Sequence, residues 1–289
     1  MTDYAGDDLR QPGTIPGPVE EFHRGVDDRF ERRLMMNVPN RQNPTLRRVI
    51  ELVNEDEDLY GLWLAANVNA MERLGMTDHG PVHVKIVMNL AVRMLRLLMD
   101  AGVQPSVVES YELTPDDAEV VVALAALLHD VGLSIHRADH EAFSLFVAQD
   151  KLRALLPRLY DDRRSTILRA EILHAIISHR SGGRPLTIEA GVVRIADALD
   201  MAKGRSRISF EQGSLSIHSV SAAAIEGVTL ERGEERAIRV IVDMSNSAGL
   251  FQLDQLLRVK LSGSGLEPHV EVRARLGEEE KPLLTDFTL

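Results

Sequence analysis

The sequence predicts a mainly α-helical protein that carries a small α+β module at its C-terminal end. Apolar residues recur at three- and four-residue spacing through most of residues 45–204, which is the spacing of one face of an α-helix. After Gly204 the pattern changes to short β-branched or alternating runs separated by turn residues, which is typical of strands. Residues 1–40 show neither pattern, and we expect a flexible N-terminal arm there.

The helical domain, residues 41–204, is predicted from local start signals as well as from periodicity. Gly80-Pro81 opens a helix that runs to about Ala101, because proline suits the first turn of a helix. Thr114-Pro115 begins another, and its residues Val120–Leu128 are all apolar, so that helix must be buried on every side. The predicted helices are Thr45–Asn54, Leu59–Leu74, Gly80–Ala101, Pro115–Asp130, Asp139–Leu155, Arg163–His179 and Thr187–Ala202.

The C-terminal module, residues 205–289, is predicted to have ββαβ order. The helix Gly249–Leu261 lies between the last two strands, and the predicted strands are Val228–Glu231, Arg236–Asp243 and His269–Arg275. A sheet of this size could pair its edge strands across a two-fold axis, so we expect a homodimer. Binding of a small effector is the alternative role for this module.

Composition excludes several classes of protein. The 289 residues include 44 acidic and 33 basic ones, a net charge of −11, which does not favour a nucleic-acid partner. Cysteine is absent, so disulfides, thiolate metal sites and iron–sulfur clusters are excluded. The longest apolar run is far shorter than the roughly 20 residues that span a bilayer, and no targeting segment is visible, so we expect a cytoplasmic protein without a membrane partner.

Histidines and aspartates supply the candidate site, since seven of the ten histidines fall between His79 and His179. His129-Asp130 follows nine apolar residues, and burying a carboxylate beside an imidazole is costly unless a metal or a strong partner compensates. An exposed capping pair at a helix end is the alternative. His79 and His83, four residues apart, lie on one face of a helix and could serve a metal and its substrate, or could be two surface histidines.

The remaining candidates lie on the later helices. Asp197 sits among apolar or small residues near a buried face, and its alternative role is a salt bridge to Arg194. His179 ends a helix on its apolar side, and His140 starts the helix that follows Asp130. His136 and His174 are expected to be structural or to support the ligands from behind, and Asp200 is expected to support the ligands or to cap the helix.

The order His83, His129-Asp130, Asp197 resembles the HD-domain phosphohydrolase superfamily across about residues 79–203. The segment from Ile172 to Asp200 is similar to that of bacterial symmetrical diadenosine tetraphosphate hydrolases. The resemblance implies an all-helical HD-domain bundle and a dinuclear site bridged by Asp130. The implied metal ligands are His83, His129, Asp130, His140, His179 and Asp197. The implied cofactor is a pair of divalent transition-metal ions, Fe or Mn, with Co, Ni, Zn and Mg as alternatives.

The first histidine pair carries a second resemblance. His79-Gly-Pro-Val-His83 has the spacing of a motif in cyclic-nucleotide phosphodiesterases, where the first histidine donates a proton to the leaving oxygen. This implies that His79 is a general acid and that the catalytic residues are His79 and Asp130. The sequence departs from that motif at Gly80, where the phosphodiesterases have asparagine.

These features together favour a phosphohydrolase in which a metal-activated water cleaves a phosphoester or phosphoanhydride of a small, anionic, nucleotide-like substrate. Five cationic residues flank the last ligands and could bind its phosphates, although each could instead be solvated surface charge: Arg180, Arg184, Lys203, Arg205 and Arg207. Two alternatives remain open. One is a di-iron oxygenase on the same fold, and the other is a sensor or scaffold protein with a structural or inactive metal site.

Overall fold

A computed structural model describes residues 33–39, 43–180, 182–201, 221, 224–277 and 286–288. Met36–Leu289 forms one compact unit. Most of the expected arm at 1–40 and the boundary near residue 204 lie outside the described residues, so the division into domains stays a prediction. The cationic residues Lys203, Arg205 and Arg207 also lie outside the described part of the chain.

Among the described residues, the helical part contains the seven predicted helices and one short additional helix. The helices are α1 Pro44–Glu55, α2 Glu57–Asn67, α3 Pro81–Asp100, α4 Ser106–Ser110, α5 Pro115–Leu128, α6 His140–Leu155, α7 Asp162–Ser178 and α8 Ile188–Leu199. Helix α2 continues into a π-helical segment, Val68–Arg73. The short α4 was not predicted, because five residues are too few to show periodicity. Within the described ranges, no helix is long and apolar enough to cross a membrane.

Side-chain caps explain where most of these helices begin. Each cap residue accepts a hydrogen bond from a main-chain N–H that has no partner within its own helix. The caps are Asn43 for α1, Asp56 for α2, Thr114 for α5, Asp161 for α7 and Thr187 for α8. Thr114 and Asp117 form a reciprocal capping box, so α5 begins at the position that the sequence predicts.

Helix α5 is the central helix of the bundle. It packs against α1, α3, α7 and α8, and every residue of Asp117–Leu128 is buried. The indole Nε1 of Trp63 donates to the Leu127 carbonyl oxygen at 2.8 Å and so satisfies a polar group beside the end of the helix. Because α5 runs through the interior, the residues that follow it, His129 and Asp130, lie inside the protein.

The described residues of the C-terminal module form a four-stranded sheet with one helical crossover. Its strands are β1 Ile225–Arg232, β2 Ile238–Met244, β3 Val270–Leu276 and β4 Asp286–Thr288, which lie in that order across the sheet. The pairs β1–β2 and β3–β4 are antiparallel, and β2–β3 is parallel. A parallel pair needs a crossover, and the helical segment α9 supplies it: Leu250–Gln252, the π-helical Leu253–Leu257 and Arg258–Leu261. The predicted ββαβ order is confirmed, and β4 is an additional strand.

Candidate metal centre

All six predicted ligands converge in one cluster between the helices. His83 lies in the first turn of α3, His140 begins α6, and Asp197 lies on α8. His129 and Asp130 follow α5, and His179 follows α7. Three groups each place one donor atom per residue within 4.8 Å of the others: His83 with His129 and Asp130, His129 with His179 and Asp197, and Asp130 with His140 and His179. Residues at the ends of four helices and on one face of a fifth helix therefore form a single site.

Asp130 lies at the middle of the cluster and divides it into two halves. Its Oδ2 lies 3.5 Å from Nε2 of His83 and 3.3 Å from Nε2 of His129. Its Oδ1 lies 3.2 Å from Nε2 of His140 and 3.6 Å from Nε2 of His179. The two carboxylate oxygens thus face two different histidine pairs, which is the arrangement that a ligand shared by two cations requires.

Asp197 lies beside His83 and His129, and it also shares a group of donor atoms with His129 and His179. Its Oδ1 lies 3.6 Å from Nε2 of His83 and 3.8 Å from Nε2 of His129. Its Oδ2 faces Nζ of Lys260 at 3.2 Å. Arg194, the salt-bridge partner that the sequence suggested as an alternative, is buried and donates hydrogen bonds to main-chain carbonyl oxygens of Ser178, Arg180 and Lys260.

The histidines are oriented by hydrogen bonds on the side of the ring that points away from the cluster. The Nδ1 contacts are His83 with Asp200 Oδ2 at 2.6 Å, His129 with Ala126 O at 2.8 Å, His140 with Arg137 O at 3.1 Å and His179 with Ile176 O at 2.6 Å. For His83, His129 and His179 the partners are acceptors, so Nδ1 carries the proton and Nε2 is the atom turned to the centre. Nδ1 of His140 also lies 2.9 Å from Nη1 of Arg137, which is a donor. Metal-binding histidines are held in this way.

Burial and neighbouring charges shift the pKa values of the groups in the cluster. Burial by itself lowers the pKa of His129, but the carboxylates of Asp130 and Asp197 outweigh it and raise the pKa to about 10. Burial lowers the pKa of His179 to about 3, and the charges of His129 and Lys260 act in the same direction. Burial opposes ionisation of both carboxyl groups, yet His129 beside Asp130 and Lys260 beside Asp197 hold both pKa values well below the usual range. Both aspartates are therefore carboxylates at neutral pH, the form that binds metal.

His79 lies next to the cluster. Its ring centroid is 5.4 Å from that of His83, and its Nδ1 lies 2.6 Å from the Thr77 carbonyl oxygen. Asn67 Oδ1 accepts the main-chain N–H of His79 at 3.0 Å, and a Cβ added to Gly80 would lie 2.8 Å from the Asn67 side chain. The structure thus places Asn67 of α2 next to Gly80, the position at which the phosphodiesterase motif has asparagine. The role of His79 as an acid stays a prediction.

Arg180 and Arg184 are exposed and lie in the segment that follows His179. This segment turns back on itself, since a Cβ at Gly183 would lie 2.3 Å from the Ser178 carbonyl oxygen. Nε2 of His174 accepts the Leu186 N–H at 3.0 Å and holds the other end of the segment to α7. His174 therefore supports the arginine segment, while His136 is exposed and accepts the Ala138 N–H through Nδ1 at 3.0 Å.

Acid is expected to loosen this arginine segment through His174. Burial lowers the pKa of His174, and only the unprotonated Nε2 can accept the Leu186 N–H. An unfolded histidine titrates near about 6.5, so the stabilisation is complete above that pH and is lost as the pH falls toward the lower folded-state pKa. Amide hydrogen exchange at residues 184, 186 and 187, corrected for the intrinsic rate, should rise below pH 6.5. His174→Gln should remove this pH dependence, and an unchanged pH dependence in the variant would refute the assignment.

Two polar residues outside the set of six ligands also contact the cluster. Asp200 was expected to support the ligands or to cap the helix, and it accepts the Nδ1–H of His83. Lys260, from α9, was missed. Its signal was available in the pattern, because Lys260 lies three and seven residues after the buried Leu257 and Leu253, on the apolar stripe of its helix.

Asp200→Asn is expected to weaken divalent metal binding by about ten- to a hundredfold, the usual effect of removing a carboxylate behind a histidine ligand. The neutral amide is a weaker acceptor for the Nδ1–H of His83, so the ring becomes a poorer and less well oriented donor. Calorimetric titration with Mn²⁺ measures the change. Asp161→Asn at the exposed cap of α7 is the matched control. Equal affinity of the Asp200 variant and the wild type would contradict the expected role.

Comparison with known proteins agrees with this geometry. A family model of the HD domain matches residues 82–202. The uncharacterized protein MJ1020 of Methanocaldococcus jannaschii is 43% identical over 224 residues, which cover 78% of this chain and 86% of the relative. The chain belongs to the HD-domain family. The matched HD-domain segment contains all six residues of the cluster, whereas His79 and Lys260 lie outside it. The donor set of this HD domain suits a divalent metal, and the family includes phosphohydrolases.

Proposed function

We propose that this HD-domain protein is a phosphohydrolase that uses two divalent metal ions to cleave a phosphoester or phosphoanhydride of a nucleotide-like substrate. The observation that carries the proposal is the position of Asp130, whose two carboxylate oxygens face two different histidine pairs. One cation would be held by His83, His129, Asp130 and Asp197. The other would be held by Asp130, His140 and His179.

The donor chemistry supports transition metals. All six candidate ligands offer imidazole nitrogen or carboxylate oxygen, and the chain has no cysteine to offer sulfur. Such a set fits Mn or Fe and also Co, Ni or Zn, whereas a pure Mg site has mainly oxygen ligands. When bound, a pair of divalent cations supplies Lewis acidity, which activates water near neutral pH and offsets negative charge on a phosphoryl group.

The protein groups around the cluster have separate tasks in this proposal. His79 donates a proton to the leaving oxygen. Its ring suits this task because it lies beside His83 and is held by the contact of its Nδ1 with the Thr77 carbonyl oxygen. The exposed guanidinium groups of Arg180 and Arg184 bind the phosphates of the substrate. We extend this phosphate-binding role to the three cations that the sequence places after the last ligand: Lys203, Arg205 and Arg207.

The direct experiment is an assay of the metal-loaded protein. Protein loaded with Mn²⁺ or Fe²⁺ is tested against a phosphodiester, a phosphomonoester, cyclic nucleotides and a dinucleoside polyphosphate. We expect turnover of at least one class that is lost with a chelator and restored by metal. The double substitution of His129 and Asp130 by Ala should abolish it, and turnover that survives this substitution would contradict the proposal.

Two other outcomes of the same experiment would replace the hydrolase by a different function. Oxygen uptake with a mixed-valent iron spectrum, in the absence of hydrolysis, would identify a di-iron oxygenase built on the same ligands. Bound metal without turnover of any substrate would indicate a sensor or scaffold protein. Elemental analysis of the same samples separates these outcomes from a simple failure to load metal.

We also propose that the protein acts in the cytoplasm as a homodimer that pairs through its C-terminal module. Strand β1 lies at one edge of the sheet formed by the described strands, and an edge strand can extend a sheet across a two-fold axis. Light scattering of the purified chain tests the dimer. A monomer at assay concentration would remove this part of the proposal.

A further inference from the structure

Lys260 of α9 reaches into the metal centre from the C-terminal module. Its Nζ lies 3.2 Å from Oδ2 of Asp197 and also donates to the main-chain oxygen of His179. The side chain is 11% exposed, so the ammonium group is nearly removed from water. Burying a charged lysine is costly unless the ammonium group is paired in this way. Two of the six candidate ligands, on two different helices, therefore share this one cation.

The backbone around Lys260 is fixed to α8 over two turns of that helix. Nε of Arg194 donates to the Lys260 carbonyl oxygen at 2.7 Å, and its Nη2 donates to the Val259 carbonyl oxygen at 3.3 Å. One turn earlier, a Cβ at Gly191 would lie 2.5 Å from the Ser264 carbonyl oxygen, so only glycine allows this close approach. The residues 191, 194 and 197 are three apart and share one side of the helix. The same side of α8 therefore contains both the contacts with the backbone of residues 259–264 and the candidate ligand Asp197.

Lys260 also determines which carboxylate oxygen of Asp197 is free to face a metal ion. It occupies Oδ2, while Oδ1 faces the Nε2 atoms of His83 and His129. A carboxylate held by an ammonium group on one oxygen is presented to a cation through the other. We propose that Lys260 is a positioning residue that makes Asp197 a single-oxygen ligand and so makes the C-terminal module a structural part of the metal centre.

The inference rests on the metal binding of the proposed function, and it does not depend on hydrolysis. Without Lys260, the Asp197 carboxylate can rotate and the end of α7 at His179 loses one anchor. Groups that orient ligands in this way change metal affinity by about ten- to a hundredfold when they are removed. We therefore expect the loss of Lys260 to lower the metal affinity itself. Loss of a residue that only supports the fold would leave the metal affinity unchanged.

Titration of the full chain with Co²⁺ tests the proposal, because the visible bands of Co²⁺ report both affinity and coordination. Lys260→Met is expected to bind Co²⁺ at least about tenfold more weakly. Its visible bands should also weaken, because a carboxylate that binds through both oxygens raises the coordination number. Lys260→Arg, which keeps a charged donor, should recover part of the affinity. If Lys260→Met does not fold, Lys260→Gln takes its place, with weaker binding expected and the same criteria applied.

Lys151→Met is the matched control. Lys151 is similarly enclosed, at 16% exposure, and its Nζ pairs with Asp56 at 2.9 Å and Asp58 at 2.6 Å, away from the cluster. This variant should lose stability but bind Co²⁺ like the wild type. If Lys260→Met binds within twofold of a wild type that does bind Co²⁺, or binds more tightly, the role of Lys260 is refuted. A wild type that binds no Co²⁺ would overturn the proposed function together with this inference.

Discussion

Asp130→Asn is expected to lower kcat/KM of the metal-loaded protein by at least about a hundredfold, because a direct ligand should matter more than the groups behind it. The carboxylate faces four imidazole Nε2 atoms, two through each oxygen. An amide keeps one oxygen and replaces the other by an NH₂ group, which cannot bind a cation. It also removes a negative charge from the middle of the site. One half of the cluster therefore loses its shared ligand.

The measurement compares turnover and bound metal in the same samples. Asp130→Asn should bind fewer metal ions per chain than the wild type and hydrolyse its substrate at the chelator-treated rate. Asp161→Asn, the same chemical change at an exposed helix cap, should leave both quantities unchanged. An Asp130 variant that keeps the wild-type metal content and turnover would show that this carboxylate is not a shared ligand.

Gly132→Ala is expected to lower the free energy of unfolding by about 3 kcal/mol or more. A Cβ at this position would lie 2.1 Å from the His140 carbonyl oxygen and 2.4 Å from the Ser144 main-chain nitrogen. Both are backbone atoms of α6, so no side chain can move aside to make room. The Gly132 N–H also donates to Ser144 Oγ at 2.9 Å. Glycine at 132 therefore lets the start of α6 approach closely enough to place His140 beside Asp130.

Denaturant unfolding of the variant measures the loss, and metal titration shows whether His140 has moved with α6. Gly61→Ala is the control, because a Cβ there meets no atom within 4 Å. Alanine in a helix interior should raise stability by roughly 0.5–1 kcal/mol. A Gly132 variant that unfolds within about 1 kcal/mol of the wild type, with unchanged metal binding, would contradict this account of how α6 is placed.

The fold could be predicted where a local signal was long enough to read. Helix α5 is the clearest case, since the cap Thr114 and a fully apolar run fix its start, its length and its burial. The five-residue α4 and the three-residue β4 carry too few residues for a period to appear. The π-helical turns after α2 and within α9 were also outside the prediction, because a sequence pattern does not show the change of hydrogen bonding that makes them.

The candidate ligands could be named from the sequence because their order along the chain resembles that of the HD-domain superfamily. Their arrangement could not, because it depends on contacts between residues far apart in the chain. The division of Asp130 between two histidine pairs needs α3, α6 and α7 in place around it. Lys260 is 63 residues from Asp197, and only the docking of α9 on α8 brings the two together.

The most direct test of this account is anomalous scattering from crystals of the Mn²⁺-loaded protein. The account predicts two peaks about 3.5–4 Å apart on either side of Asp130, as in other two-metal sites. One should lie among His83, His129 and Asp197, and the other beside His140 and His179. A single peak, or peaks that do not contact Asp130, would contradict the two-metal centre from which the proposed function is drawn.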